Sequence, residues 1–306
     1  MNEIIFCITK KCIFNNQKIE TFNGIGDIIN GLASTFLICQ QNNIPLKVLC
    51  PDTALNQLLK LPNENFQVEE SDIIYIPGDK LFSFLQSNKN CFNKLFLFTN
   101  GFNVSQYINE DLKKFLRNIF FSNIIVNNYV KKYQHINNVM HFRFGDDQMV
   151  DHSFLNSYYK KPFYPHTAND WNNLIDNESK YDFALSVFHD SINNFDYVCS
   201  DHYAFKKKVK ELFPKIEIID KKPQHISKTS DVNGLYFCFV EMTIMLHAKN
   251  ILSLCSFPFG ERSSMFSYWP CLLGYSNFQN YIYNYSENSI YKDMSSFCSQ
   301  SYELKF

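Results

Sequence analysis

Apolar positions along the chain fall into two rhythms, short continuous runs bounded by polar residues and longer stretches that repeat at helical spacing. The first kind predicts buried strands and the second amphipathic helices. Ile4 to Thr9 reads as a strand, and Lys11 to Phe22 as an irregular or hairpin segment around Asn15-Asn16. In residues 22–41, FNGIGDIINGLASTFLICQQ, the positions Ile28, Ile29, Leu32, Ala33, Phe36 and Leu37 share one helical face. A glycine loop thus opens a helix, and the strand Ile44 to Cys50 follows it. Ile73 to Ile76 and Lys94 to Phe98 are further short strands, Glu110 to Phe121 is a helix, and Asn123 to Gln134 continues helically.

The second half alternates more clearly. Strands are expected at Asn138 to Phe144, Tyr197 to Ser200, Ile216 to Ile219 and Ile251 to Cys255. Helices are expected at Asp170 to Asp176, Tyr181 to Ile192, Tyr203 to Phe213, Leu235 to His247 and Ser263 to Leu273. Strands alternating with helices imply α/β domains built on parallel sheets covered on both faces. The boundary is placed near residue 135, giving a first domain over 1–135, a second over 136–306, and a cleft between them. Ligands of such sheets bind beyond the carboxyl ends of the strands. HFRFGDD (141–147), CSDH (199–202) and SFPFGERSS (256–264) all stand at such ends and converge on one edge.

Composition narrows the partners. The 306 residues carry a formal net charge of −1 with 19% charged residues, which argues against the nucleic-acid backbone as a partner. No run approaches the ~18 apolar residues of a membrane span. The start, MNEIIFCITKK, has too short an apolar stretch for a signal peptide, so a cytoplasmic protein is expected. The ten cysteines sit mostly in apolar runs without a CxxC pair, as small hydrophobes and not as a zinc or redox site.

Within the glycine loop, Gly24 and Gly26 precede a helix N-terminus, where partial positive charge favours a phosphate or carboxylate. The dinucleotide fingerprint fails, because Ile29 occupies the third glycine position. The plainer alternative is a tight turn with Asp27 as an ordinary first-turn carboxylate. On the strand before HFRFGDD, alternation aims His141 and Arg143 to one face and Phe142 and Phe144 to the other. A guanidinium there suits bidentate capture of a phosphate, or an internal salt bridge with Asp146 or Asp147. Ser200 or Asp201 fits as the cap of the next helix, and Lys206, Lys207, Lys208 and Lys210 read as a solvated face. Ser263 fits as the cap of the last helix, with Arg262 and Ser264 beside it as possible diphosphate ligands. Glu241, alone in the apolar helix LYFCFVEMTIML, needs a partner or water. No DxD metal motif occurs, and Arg143 beside Asp146-Asp147 would repel a cation, so no metal is expected.

Four segments in order resemble the fucosyltransferases of the two-Rossmann (GT-B) type, which show a G-x-G-N loop, an H-x-R-x-G-D strand end, an S-D strand end and a closing S-x-F-S. Here they read Gly24-Ile25-Gly26-Asp27, His141-Phe142-Arg143-Phe144-Gly145-Asp146, Ser200-Asp201 and Ser264-Met265-Phe266-Ser267. H-x-R-x-G-D is the most specific of them. Asp27 replaces the usual Asn and Phe144 a frequent second basic residue; Asp27 also fits the G-x-G-D loop of heptosyltransferase-like GT-B enzymes.

The resemblance implies two Rossmann-like domains facing across a cleft, with GDP-fucose as donor substrate and a glycan or glycoconjugate as acceptor. It implies Arg143 on the β-phosphate, the Ser263-to-Ser267 segment on the diphosphate, and Asp201 with Asp146 or Asp147 on the nucleotide. His141, Gly24, Gly26, Arg262 and Ser264 complete the expected donor set. Transfer would be inverting and metal-independent. An acceptor hydroxyl then needs a base across the cleft, with Asp27 first and Asp147 or Asp146 second, unless the leaving phosphate itself takes the proton. A UDP- or ADP-sugar donor and a non-catalytic binding protein on the same fold are the alternatives.

Overall fold

Ile4, Ile5, Phe6 and Cys7 are each fully out of water. Consecutive side chains point to opposite faces of a strand, so such a run requires cover on both sides of the sheet. In the computed structural model that run is β1 (Glu3–Cys7), flanked by a strand on each side in its sheet. The structure describes residues 2–9, 11–20, 24–61, 68–88, 91–101, 104, 107–143, 179–222, 232–255, 264–284 and 289–292. These form two compact units. Residues up to Asn128 belong to the first and residues from Tyr129 to the second, except that the start of the helix Val232–His247 counts with the first unit through Phe239.

In the first unit, β1 is followed by β2 (Lys11–Phe14), β3 (Gln17–Glu20), α1 (Ile25–Asn42), β4 (Leu46–Leu49), α2 (Thr53–Asn56), β5 (Ile74–Tyr75), α3 (Leu81–Ser87), β6 (Lys94–Phe98), α4 (Glu110–Phe120) and α5 (Ile124–Val130). The strands form one sheet in the order β3-β2-β5-β6-β1-β4, parallel except for the β2-β3 hairpin. Asn15 and Asn16 turn that hairpin with φ of 50° and 63°. Left-handed values at both turn residues suit a two-residue connection whose twist matches the strands, and asparagine tolerates them. The helical stretch expected over 123–134 is separate from α4, because Asn123 starts it anew by accepting from the amides of Ile125 and Val126.

α1 lies unusually close to the end of β6. A Cβ on Gly31 would stand 1.8 Å from the carbonyl oxygen of Thr99, and one on Gly101 would stand 2.5 Å from that of Asn30. Gly101 also has a φ of +70°. Asn30 Nδ2 then donates to Asn100 O at 2.8 Å, so the helix and the loop after β6 are joined by backbone contact and a directional bond.

The second unit carries β7 (Asn138–Arg143), α6 (Ser179–Ile192), β8 (Tyr197–Ser200), α7 (Tyr203–Leu212), α8 (Val232–His247), β9 (Asn250–Cys255), α9 (Met265–Gly274), β10 (Asn277–Asn284) and β11 (Ser289–Lys292). Its sheet runs β11-β10-β9-β7-β8, parallel except for β10-β11. Met140 and Phe142 face Phe188 of α6 and Phe205 and Val209 of α7 in one apolar cluster. His141 and Arg143 therefore point to the other face.

Two expectations are corrected. The stretch 216–219 makes only one bridge, Tyr197 with Glu217, because the turn at Pro214 precedes it and a turn from Ile219 O to Lys221 N ends it. The strands β10 and β11 are not predicted by the alternation, and their antiparallel pairing gives the second sheet an edge that the sequence pattern does not foresee, whereas the β2-β3 hairpin of the first sheet is the one expected around Asn15-Asn16. The helix expected at 170–176 lies outside the described residues. No helix among those described is long and apolar enough to cross a membrane.

Replacing Gly31 by alanine forces α1 off the β6 loop. Urea unfolding of Gly31→Ala should show a loss of roughly 1–3 kcal/mol, the usual range for overpacking; an unchanged midpoint would show that α1 can move away freely.

Candidate functional site

The carboxyl edge of the second sheet is built by register. His141 stands beside Cys199 on β8 and Ser253 on β9, and Arg143 beside Cys255. β7 is flanked on both sides, so a charge at its end is carried in a largely buried setting. Arg143 is 17% exposed in its side chain and Asp201 5%, and Arg143 Nη1 donates to Asp201 Oδ2 at 2.6 Å. A charge-assisted bond of that length holds the guanidinium in one orientation.

Asp201 is fixed in turn. Ser200 Oγ donates to Asp201 Oδ1 at 3.4 Å and accepts from the His202 amide at 3.1 Å. With both polar side chains so engaged, the cap of α7 moves one residue on, and His202 Nδ1 accepts from Phe205 N at 3.1 Å. Ser200 and Asp201 are therefore not the cap that the sequence pattern predicts.

The lysine face needs a sharper correction. Lys207 and Lys208 are exposed, but Lys206 is 1% exposed and donates to Glu241 Oε1 at 3.0 Å. Lys206 is thus the partner that the isolated Glu241 requires. Lys210 bonds the carbonyls of Pro214 and Ile216 at 2.8 and 2.7 Å, closing the end of α7.

On the other side of β7, Ser264 occupies the cap position of α9 without a side-chain cap bond. Ser263, the expected cap, lies outside the described residues, as do Arg262, Asp146 and Asp147. Ser267 Oγ is 3.2 Å from Ser264 O and 3.1 Å from Ser253 Oγ, which stands 3.5 Å from His141 Nδ1. Phe266 packs on the His141 ring with centroids 5.6 Å apart, so the first turn of α9 abuts the end of β7. Ser253, which the sequence reading passed over, was visible there as the one hydroxyl in the run Ile251-Leu252-Ser253-Leu254.

Burial, and then the charge of Arg143, lowers the His141 pKa to about 3. The imidazole is therefore neutral at physiological pH. The guanidinium held by Asp201 and the first turn of a helix offer hydrogen-bond donors to an anion at this edge.

The glycine loop lies in the first unit. Gly24 caps α1, its amide donates to Asp27 Oδ2 at 3.1 Å, and Gly26 is buried in the first turn. Asp27 thus serves its own helix N-terminus, the plainer of its two readings. The structure brings His141, Arg143, Asp201, Ser264 and Ser267 to one edge; Gly24, Gly26 and Asp27 belong to the other unit.

Protonating His141 costs folding energy. Below about pH 6.5 the unfolded chain takes up a proton that the folded state refuses until about pH 3, so this residue withdraws stability as pH falls through that window. His141→Gln should flatten the acid side of the stability profile by up to about 1.4 kcal/mol per pH unit. Parallel profiles for both proteins in urea unfolding between those limits would contradict the assignment.

No family model and no curated protein matches the chain. Among solved structures, a point mutant of Arabidopsis thaliana FUT1 in complex with GDP superposes with a TM-score of 0.54 at 14% identity, covering 97% of this chain and 75% of that one. The NodZ α-1,6-fucosyltransferase soaked with GDP-fucose superposes with a TM-score of 0.50 at 10% identity, covering 96% of this chain and all of that one. With its two α/β units and these neighbours, the chain has a fucosyltransferase-like GT-B fold.

Proposed function

We propose that this chain is an inverting glycosyltransferase that takes fucose from GDP-fucose and transfers it to a hydroxyl of a glycan or glycoconjugate. The observation that carries the reading is Arg143, presented at the carboxyl edge of the second sheet and held by Asp201 beside the first turn of α9. Neighbours of the same fold were solved with GDP and with GDP-fucose, which makes a guanosine diphosphate the anion to test first.

The chemistry follows from charge. As the bond from the anomeric carbon to the diphosphate breaks, negative charge grows on the phosphate oxygens and is stabilised by donors already in place. Arg143 meets the β-phosphate; the amides that open α9, with Ser264, meet the remaining oxygens. Arg262 and Ser263, which precede Ser264 in the chain, are further candidate ligands of the diphosphate, and Asp146 of the nucleotide. Asp201 helps hold the nucleotide by fixing Arg143. His141 stays neutral beside Arg143, so the positive charge offered to the phosphate is that of the guanidinium. Asp27 and Asp147 are the candidate bases for the acceptor hydroxyl, and the proton passes to the leaving phosphate if neither serves.

The Arg143-Asp201 bond itself favours a second reading, a non-catalytic protein that keeps Arg143 as an internal ion-pair partner. Removing one member of a largely buried pair costs roughly 3–5 kcal/mol, so Arg143→Ala would unbalance Asp201 under either reading. Arg143→Lys keeps the charge and loses the planar fork. The discriminating experiment is a thermal-shift series with GDP, UDP and ADP, with chelator present, on wild type and Arg143→Lys. A nucleotide at 100 times its Kd should stabilise the wild type by about 2.7 kcal/mol. GDP is expected to give that shift, and Arg143→Lys to fold normally and need at least about ten times more GDP for the same shift, a loss of about 1.4 kcal/mol. A response to UDP or ADP instead would overturn the donor assignment. No response to any of the three would leave the internal ion pair as the role of Arg143.

A further inference from the structure

Glu241 Oε1 is a meeting point of three elements. It accepts from Lys206 Nζ of α7 at 3.0 Å and from Tyr197 Oη of β8 at 3.4 Å, while Glu241 itself stands on α8. All three residues are buried, with Lys206 at 1%, Tyr197 at 0% and Glu241 at 5% exposure. Withdrawing two opposite charges from water is costly, and well-packed apolar residues commonly serve stability as well or better. What such residues lack is direction. Apolar packing tolerates a small slide or rotation of one helix on another, whereas a bonded carboxylate fixes the position of its partner atoms.

The position fixed here leads to Arg143. Lys206 N donates to His202 O at 3.1 Å in the first turn of α7. His202 N donates to Ser200 Oγ at 3.1 Å, Ser200 Oγ donates to Asp201 Oδ1 at 3.4 Å, and Asp201 Oδ2 receives Arg143 Nη1 at 2.6 Å. Phe205, beside Lys206, packs on Phe142 with ring centroids 4.8 Å apart on one face of the sheet. Tyr197 is in register with Val139, whose side chain is on the opposite face from Met140 and Phe142. α7 is thus held to one face of the sheet through Phe205, and to α8 through the bond of Lys206 to Glu241, which Tyr197 shares from the start of β8.

We infer that the Lys206-Glu241-Tyr197 cluster is a positioning device for the anion site, setting the place of Asp201 and through it the aim of the Arg143 guanidinium. This rests on the proposed nucleotide site for its functional meaning. Continuity of bonds does not by itself establish coupling, so the test must separate positioning from stability.

The double substitution Lys206→Met/Glu241→Met removes both charges together and leaves no unpaired ion. It should melt at or above the wild-type temperature, yet bind GDP about tenfold more weakly by calorimetry. Hydrogen exchange of the His202, Phe205 and Lys206 amides should quicken in the same protein. Wild-type affinity in a folded double variant overturns the inference. If the wild type itself binds no GDP, the nucleotide reading has failed, and the exchange rates decide the positioning role alone: faster supports it, unchanged overturns it. Tyr197→Phe, which deletes one hydroxyl, replaces the double variant should the latter not fold. It is expected to give a smaller change in the same direction in exchange and affinity, and no change in either would again overturn the inference.

Discussion

A guanidinium at the end of a strand flanked on both sides needs acceptors in reach, and the pairing of Arg143 with Asp201 supplies a charged one. Much of the second unit is arranged around it. β7 and β8 must be neighbours in parallel register, so that Phe142 stands opposite Ser200 and the two strands end together. Ser200 must turn its hydroxyl to the His202 amide, which moves the helix cap to His202. The apolar cluster on one face, Met140 and Phe142 against α6 and α7, holds β7 in place while its other face presents His141 and Arg143.

The opposite face shows how a polar group is kept at the floor of such a site without adding charge. His141 is fully buried next to a permanent cation, and both conditions disfavour its protonated form. Its neighbours are the short hydroxyls of Ser253 and Ser267 and the ring of Phe266. The face therefore stays neutral beneath Arg143, and the charge at that end of β7 is carried by the Arg143-Asp201 pair.

Much of this was legible in the chain. The runs at Lys94–Phe98 and Tyr197–Ser200 have the very bounds expected, and the ends of β7 and β8 were recognised as a shared edge. The Asn15-Asn16 turn was visible because two adjacent residues tolerant of positive φ interrupt an alternating pattern. What escaped depended on three-dimensional partners. Lys206 looks like Lys207 and Lys208 in sequence, but it borders the stripe Phe205, Val209 and Phe213, and only the fold places Glu241 opposite it. The cap of α7 was misplaced because Asp201 and Ser200 are engaged elsewhere, which local pattern does not encode. Stretch 216–219 is apolar enough for a strand, but the turns at both ends leave it a single bridge.

The first unit follows a different economy. There the close approach of α1 to the end of β6 depends on glycine and on one amide side chain, Asn30, and not on charge. The loop before α1 uses Asp27 to satisfy Gly24, so the carboxylate that sequence reading offered as a catalytic base is bonded to its own helix. The central claim concerns the second unit, and a crystal structure of the protein soaked with GDP tests it most directly. The account predicts phosphate oxygens within hydrogen-bonding distance of the Arg143 guanidinium and of the first turn of α9, with Asp201 still against Arg143. Nucleotide density elsewhere, with that edge empty and the ion pair unchanged, would contradict it.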